Sequence, residues 1–374
     1  MDIRKIQYVP MLKGKENDVV AFSQLPPSRR ANIKPLFDLP FFNQDADTNA
    51  HIKAFVTRIA SKVPADQPCF ADFYSLQDYS VAESGHLAIV AGFELFEKQK
   101  RFVTPTLSVG REEAVFKAMR GVVRRFGQGV CLRVDVEAID GQTDQVAADI
   151  TNQLTFLGVR RVDCDLLLDL RTIGRLQFSA VEVILDFLAV VGQGSAFRSI
   201  IVAGSSALSE VTEVPMDGMK HIERTEMKLW DRLVFELAGS IIPIFGDYGI
   251  VNPEFFAEGP RPHANAKIRY SNGLRTTYFR GHGLYRPTTD FKQYRSLAAG
   301  IVACPYYDGP AFSVGDAYIS KVAIAPGPRG FGSLGSWVRA DTNRHLAVVA
   351  TQMQTRANRI LAARSVNEAL ALPA

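Results

Sequence analysis

Within the first 250 residues a short β-rich apolar run gives way to a longer stretch of helical period eight times over, and this rhythm restricts the fold more than any other feature. The runs are IQYVPML (6–12), KPLFDLP (34–40), QPCFADFY (67–74), FVTPTLSV (102–109), GVCLRVDVE (129–137), VDCDLLLDL (162–170), SIIVAGS (199–205) and IIPIFGDYG (241–249). Between them lie amphipathic stretches such as HIKAFVTRIASKV, EEAVFKAMRGVVRRFG, DQVAADITNQLTFLG and FSAVEVILDFLAVVG, the last three ending at glycine as helices often do. A parallel strand pair needs such a crossover, so eight units predict a closed (β/α)8 barrel of TIM type. An open doubly wound sheet usually stops at about five or six strands and often opens on a glycine-rich turn, and no GxGxxG follows the first run here.

Residues 251–374 change character. AKIRYSNGLRTTYFRG reads as a hairpin turning at Asn272 and Gly273, DFKQYRSLAAGIVA as a helix, and RHLAVVATQMQTRANRILAARS as a long terminal helix. APGPRGFGSLGSW is too rich in Gly and Pro for regular structure. The expected organisation is a barrel over 1–250 and a C-terminal α+β extension over 251–374 packed on it.

Composition narrows the class. Of 374 residues, 47% are hydrophobic and 22% charged, enough for a large core in a soluble chain. The 43 basic and 39 acidic residues leave a net charge of only +4, too small an excess to imply nucleic acid. Cys69, Cys131, Cys164 and Cys304 lie far apart without a CxxC pair, so they read as reduced thiols. The start MDIRKIQYVPML lacks the apolar core of a signal peptide, and no run reaches the roughly 18 apolar residues a membrane span needs. A cytoplasmic protein with no membrane partner is expected.

Strand alternation then says where charges point. Each barrel strand shows one face to the helices and one to the lumen. In 162–171 the apolar positions Cys164, Leu166, Leu168 and Leu170 face outward, leaving Asp163, Asp165, Leu167, Asp169 and Arg171 for the lumen. In 129–137 the same logic points Cys131, Arg133, Asp135 and Glu137 inward. The other strands add Asp38, Asp72 with Tyr74, and Asp247 with Tyr248, while Lys13 and Arg111 sit just past strands one and four. Ser205 and Ser206 end strand seven, where such barrels often bind phosphate.

Strand ends form the mouth where barrel enzymes work, so these side chains predict one pocket. Crowded carboxylates either share protons or hold a cation. Asp38, Asp72, Asp135 and Asp247 are the candidate acid, base or metal ligands, with Asp169 in support. A Mg²⁺ or Mn²⁺ ion is expected on Asp72, Asp135 and Asp247. Lys13, Arg111, Arg133 and Arg171 would take an anion, most simply the phosphate of a small molecule, with Tyr74, Ser205 and Tyr248 alongside. The competing reading makes the same charges structural ion pairs, Asp169 with Arg171 or Arg133 with Asp135.

Other features are weaker. His51, His86 and His221 fall in or near predicted helices and read as packing or surface residues, whereas His282 and His345 lie in an extension able to fold over the mouth. The loop GPRGFGSLGSW, with Arg329, could cradle an anion or act as a lid but lacks a Walker ending. Arg120, Arg124 and Arg125 read as the solvated face of a barrel helix, which disfavours nucleic acid.

YVPMLKGKENDVVAF, PLFDLP, FGDYG, FSVGDAYIS (312–320) and SWVRADTNRHLAVVATQ together resemble the Beta protein family of phages, prophages and bacterial genomes. The resemblance spans nearly the whole chain. It implies a mobile-element setting, with phage–host conflict and a protein partner in phage defence as its context, and it carries no residue roles. Two functions stay open: an enzyme-like barrel that binds or hydrolyses a phosphate-bearing ligand with a divalent cation, and a non-catalytic interaction or sensor protein.

Overall fold

The computed structural model describes residues 6–42, 47–173, 178–192, 196–237, 241–254, 264–284, 290–327 and 329–371. Strands β1 (Tyr8–Lys13), β2 (Leu36–Asp38), β3 (Phe70–Asp72), β4 (Thr104–Ser108), β5 (Val130–Asp135), β6 (Cys164–Thr172) and β7 (Ser199–Ser205) follow one another around a parallel sheet. The next strand, β8 (Met219–Glu223), leaves it, and β9 (Ile244–Asp247) closes the barrel between β7 and β1. The fold is the eight-stranded (β/α)8 barrel expected from the sequence rhythm. Register aligns Asp38 with Asp72, Asp72 with Thr106, Ser108 with Arg133 and Asp135 with Asp169.

Alternation splits the apolar residues into two cores. Phe37, Ala71, Leu107, Leu132, Leu166, Leu168, Val202 and Phe245 face outward and join the core under the helices. Val9, Met11, Leu36, Phe70, Cys131, Leu167, Ile201 and Ala203 fill the lumen, so the barrel is packed through its middle and open to chemistry only at its ends. The outer helices follow the sequence period: helix Glu113–Phe126 buries Val115, Phe116, Met119, Val122, Val123 and Phe126. It stops at Gly127 (φ 61°), as helix Thr143–Leu157 stops at Gly158 (φ 69°), both in the left-handed region that glycine enters freely.

The extension begins with the hairpin β10 (Asn265–Asn272) and β11 (Arg275–Gly283), turning at Gly273 and Leu274, and β8 adds to its edge. His221 therefore lies in a strand, four residues before helix Thr225–Glu236, its Nδ1 2.9 Å from Thr277 Oγ1. MKHIE offers only short, mostly polar alternation, too little signal to separate it from a loop. The terminal helix Leu334–Ala371 sends Leu346, Ala347, Val349, Ala350 and Met353 into the barrel's outer core. It packs on β1 and helix Glu16–Ser23, while Arg356 reaches Asp231 of helix Thr225–Glu236 at 2.8 and 2.9 Å. That is the place in the ring of the helix that would follow β9.

All four cysteines are free thiols, three of them buried. No helix among the described residues is long and apolar enough to cross a membrane.

Candidate functional site

At the C-terminal ends of the strands Arg133 holds the centre of the throat. Its Nε and Nη2 donate to Asp169 Oδ2 at 2.9 and 2.7 Å, and its Nη1 donates to Asp72 Oδ2 at 2.9 Å. Nη2 also donates to the Tyr248 hydroxyl at 2.9 Å, which itself donates to Asp169 Oδ2 at 2.6 Å. Tyr74 lies over this knot with its ring 4.2 Å from the guanidinium carbon and 40% exposed, its hydroxyl accepting from Arg171 Nη1 at 2.9 Å. Arg171 is anchored in turn on Glu254 at 2.8 Å. Lys13 stands 3.7 Å from Asp38. The structure thus brings together Lys13, Asp38, Asp72, Tyr74, Arg133, Asp169, Arg171 and Tyr248 from β1, β2, β3 and the loop after it, β5, β6 and the segment after β9.

What separates this knot from a closed ion-pair network is on β2, β3 and β4. Asp38 Oδ1, Asp72 Oδ1, Thr106 Oγ1 and Ser108 Oγ are buried with no hydrogen-bond partner. All four residues lie on the lumen parity of adjacent strands, since their neighbours Phe37, Ala71 and Leu107 belong to the outer core. Unpartnered buried oxygens are costly, so each of these four lacks a partner that burial would ordinarily require. Burial pushes the Asp72 carboxyl up to about 6, against the opposing pull of Arg133. Burial raises Asp38 as well, with Lys13 and Arg133 opposing. Arg133 is raised too, for a different reason: against the pull of burial, Tyr248, Asp169, Asp72 and Asp38 hold it more firmly protonated.

Several expected members are elsewhere. Asp247 points outward: β9 presents Ile244 to the lumen and Phe245 to the outer core, so Gly246 faces in and Asp247 out. It accepts from Tyr8 Oη at 2.7 Å and lies 2.9 Å from His345 Nε2. Asp135 ends β5 by capping the turn Val136–Ala138, accepting from Glu137 N at 3.0 Å. The expected metal set Asp72, Asp135 and Asp247 is therefore not assembled. Among the described residues no group of three or more His, Cys, Asp or Glu side chains could hold a metal ion. Arg111, expected to take an anion, has both terminal nitrogens on the loop after β3, donating to Phe73 O at 2.7 Å, to Leu76 O at 3.1 Å and to Asp78. Ser205 is engaged with Val251 O and Ala207 N. Neither suggested ion pair forms as drawn: Arg133 takes Asp72 and Asp169, and Arg171 takes Glu254. Within the glycine-rich run Trp337 Nε1 donates to Phe331 O at 2.9 Å, and both side chains join the core of the extension; its Pro328 lies outside the described residues.

The sequence model of the Beta protein family matches residues 8–351. The chain belongs to the Beta protein family. No curated protein matches it. Among solved structures, this Beta protein chain is similar to a mandelate racemase/muconate lactonizing protein from Herpetosiphon aurantiacus, at 13% identity and TM-score 0.35 over 74% of this chain and 63% of that one. It thus spans less than two thirds of that protein's length. It is also similar to triosephosphate isomerase from Bartonella henselae, at 10% identity and TM-score 0.36 over 64% of this chain and 91% of that one. Likeness at that level says nothing about the site; the barrel assignment rests on strand order and closure.

Two further polar clusters in this Beta protein were not expected. The first joins barrel, extension and terminal helix: Asp247 meets His345, whose Nδ1 is 2.7 Å from Ser271 Oγ on β10, with Arg224 3.6 Å from Asp247. Burial opposes ionisation of Asp247, yet His345, Arg224 and Tyr8 hold its carboxyl below the usual range. Its members are almost fully buried, so it acts as a latch and not as an exposed triad. The run Asp341–His345, five consecutive buried polar residues in one helix, was the available signal. The second cluster closes the opposite end of the barrel, where Asp165 accepts from Arg198, Ser199 and Lys34. A cavity of about 130 Å³ lies beside the mouth, lined by Glu137, Leu170, Thr172, Ile173, Ser179 and Val183 among others, and it includes none of the throat residues.

Proposed function

We propose that this chain is an enzyme-type barrel that takes a small polar molecule into its throat and exchanges a proton with it through Asp38 and Asp72. The observation that carries the reading is the set of four unpartnered buried oxygens at the strand ends. Support comes from Asp72, whose raised pKa of about 6 lets it hold or release a proton near neutral pH. Arg133, Asp169 and Tyr248 act as the frame that fixes Asp72 in place. The guanidiniums of Arg133 and Arg111 are already committed to protein carboxylates. Arg171 is paired as well, with Glu254, but that pair is the most exposed of the three, so a phosphate on the ligand would stay at the rim beside it while the donor-bearing part enters. Free thiols support a reducing, cytoplasmic compartment. The phage-defence setting belongs to the same proposal and rests on family membership alone.

The test is a thermal-shift series with a panel of sugars, nucleosides, amines and phosphorylated metabolites on the wild type and on Asp72→Asn. A ligand that binds the native state raises Tm. A shift in the wild type that vanishes in a folded Asp72→Asn variant supports the proposal. A ligand-free result across the panel favours the non-catalytic interaction protein instead.

A further inference from the structure

The four unpartnered oxygens also specify what the ligand presents to them, an inference that rests on the reading of the throat as a binding site. Asp38 Oδ1 and Asp72 Oδ1 only accept when ionised, whereas the hydroxyls of Thr106 and Ser108 can donate as well as accept. Two ligand hydroxyls, each donating to one carboxylate and accepting from one side-chain hydroxyl, would satisfy all four. An ammonium group donates only, so it would leave the Thr106 and Ser108 protons unused, and it would add charge beside Lys13 and Arg133. A phosphate brings negative charge and mainly acceptor oxygens, and would face two carboxylates whose cations are already paired. Charge agrees with a neutral group. Lys13 and Arg133 oppose Asp38, Asp72 and Asp169, leaving at most one excess negative charge, which a proton on the aspartate pair removes.

Tyr74 adds a second, independent element. One face of its ring is packed on Arg133 and its hydroxyl is held by Arg171, so the ring is rigid while part of it stays open to solvent at the lip. A fixed aromatic surface beside a hydroxyl-binding throat suits the C–H face of a saturated ring.

We infer that the throat recognises a vicinal diol on a polyhydroxylated ring, hydroxyls toward Asp38, Asp72, Thr106 and Ser108 and ring face toward Tyr74. A free sugar, a cyclitol and the ribose of a nucleoside all carry this chemistry, and the test separates them.

Titration calorimetry with D-glucose, myo-inositol and adenosine, each beside a deoxy counterpart lacking one hydroxyl of the diol, and with inorganic phosphate and a primary amine, would be run on the wild type, Thr106→Val and Ser108→Ala. Both variants remove a hydroxyl that has no partner in the protein, so they should fold with unchanged or higher Tm. The expected result is binding by one of the diols, lost in its deoxy form and weakened about tenfold in each variant. A diol that binds equally well to wild type and both variants overturns the inference. Binding by the amine or phosphate alone, abolished by Asp72→Asn, also overturns it while leaving the throat as a functional site. No binding by any of these compounds overturns the inference, and with a flat thermal-shift panel it removes the underlying reading too.

Discussion

The two ends of the barrel use the same residue types and reach opposite electrostatic outcomes. At the N-terminal end Asp165 receives Arg198 through two nitrogens, the Ser199 hydroxyl and Lys34, which lies 3.5 Å away and over the Phe70 ring. Burial opposes its charge, but Arg198, Lys34 and Ser199 more than compensate and hold its carboxyl below the usual range. At the mouth Asp72 is as deeply buried, yet only one of its oxygens is met, and its carboxyl is raised to about 6. Burial supplies the same penalty at both ends. The number of donors decides the sign, and that number is complete where the barrel is plugged and incomplete where it opens.

The comparison breaks first, and with the largest effect, at Asp165. Asp165→Ala leaves Lys34 and Arg198 buried without their shared carboxylate, and urea denaturation should show a loss of about 3–5 kcal/mol. A loss under about 1 kcal/mol would mean that the plugged end is no better satisfied than the mouth.

Asp72→Asn should change stability in the opposite direction. The native state holds a proton on Asp72 up to about pH 6, whereas the unfolded chain releases it near 4. Between those values the native state binds more protons, so stability falls as pH rises through the window and the deficit persists at pH 7. The variant should gain roughly 1–3 kcal/mol at pH 7 and flatten the stability profile between about pH 4 and 6. Asp165 follows the reverse rule, its contribution present above the ordinary carboxylate value and lost as pH falls through its depressed one. Denaturation midpoints of wild type and Asp72→Asn from acid to neutral pH would separate the two; a loss at pH 7 in the variant would contradict the contrast.

Tyr248→Phe removes the hydroxyl between Arg133 and Asp169 and should cost about 1 kcal/mol while leaving the Arg133 ion pairs in place. A much larger loss would make Tyr248 a structural keystone on a par with the plugged end. The smallest effect is expected for Thr106→Val in ligand-free protein, within about 0.5 kcal/mol of wild type or slightly stabilising, because no protein hydrogen bond is lost. A clear destabilisation would show that Thr106 Oγ1 has a native partner and would weaken the case for the site.

How much of the site could be read in advance differs from strand to strand. In β5 and β6 the apolar residues keep one parity, so the inward positions of Arg133, Asp165 and Asp169 followed from the alternation. β9 reads IIPIFGDYG, apolar on both parities because both faces are covered, so its phase was not legible and Asp247 was placed on the wrong side. Its neighbour Tyr248 takes the inward place and joins Arg133. Arg111 follows β4 at a spacing that suits the mouth, but the loop Phe73–Asp78 folds back onto it and takes both its terminal nitrogens. The His345 latch depends on three distant segments meeting, and its one local trace, the polar run Asp341–His345, does not say which segments those are.

The sequence by itself determined the number of barrel strands, the helical crossovers and, where alternation is clean, which side chains enter the lumen. Those properties are local, set by side-chain period and by turn residues within a few positions. Which charges are paired and which oxygens are left over was decided only by closure of the barrel. Closure sets Arg133 against Asp72, 61 residues away, and against Tyr248, 115 residues away, while leaving Asp38, Asp72, Thr106 and Ser108 each one contact short. A hydrogen bond is won or lost over less than an ångström, and the strand stagger that sets such distances exists only once the sheet has closed on itself.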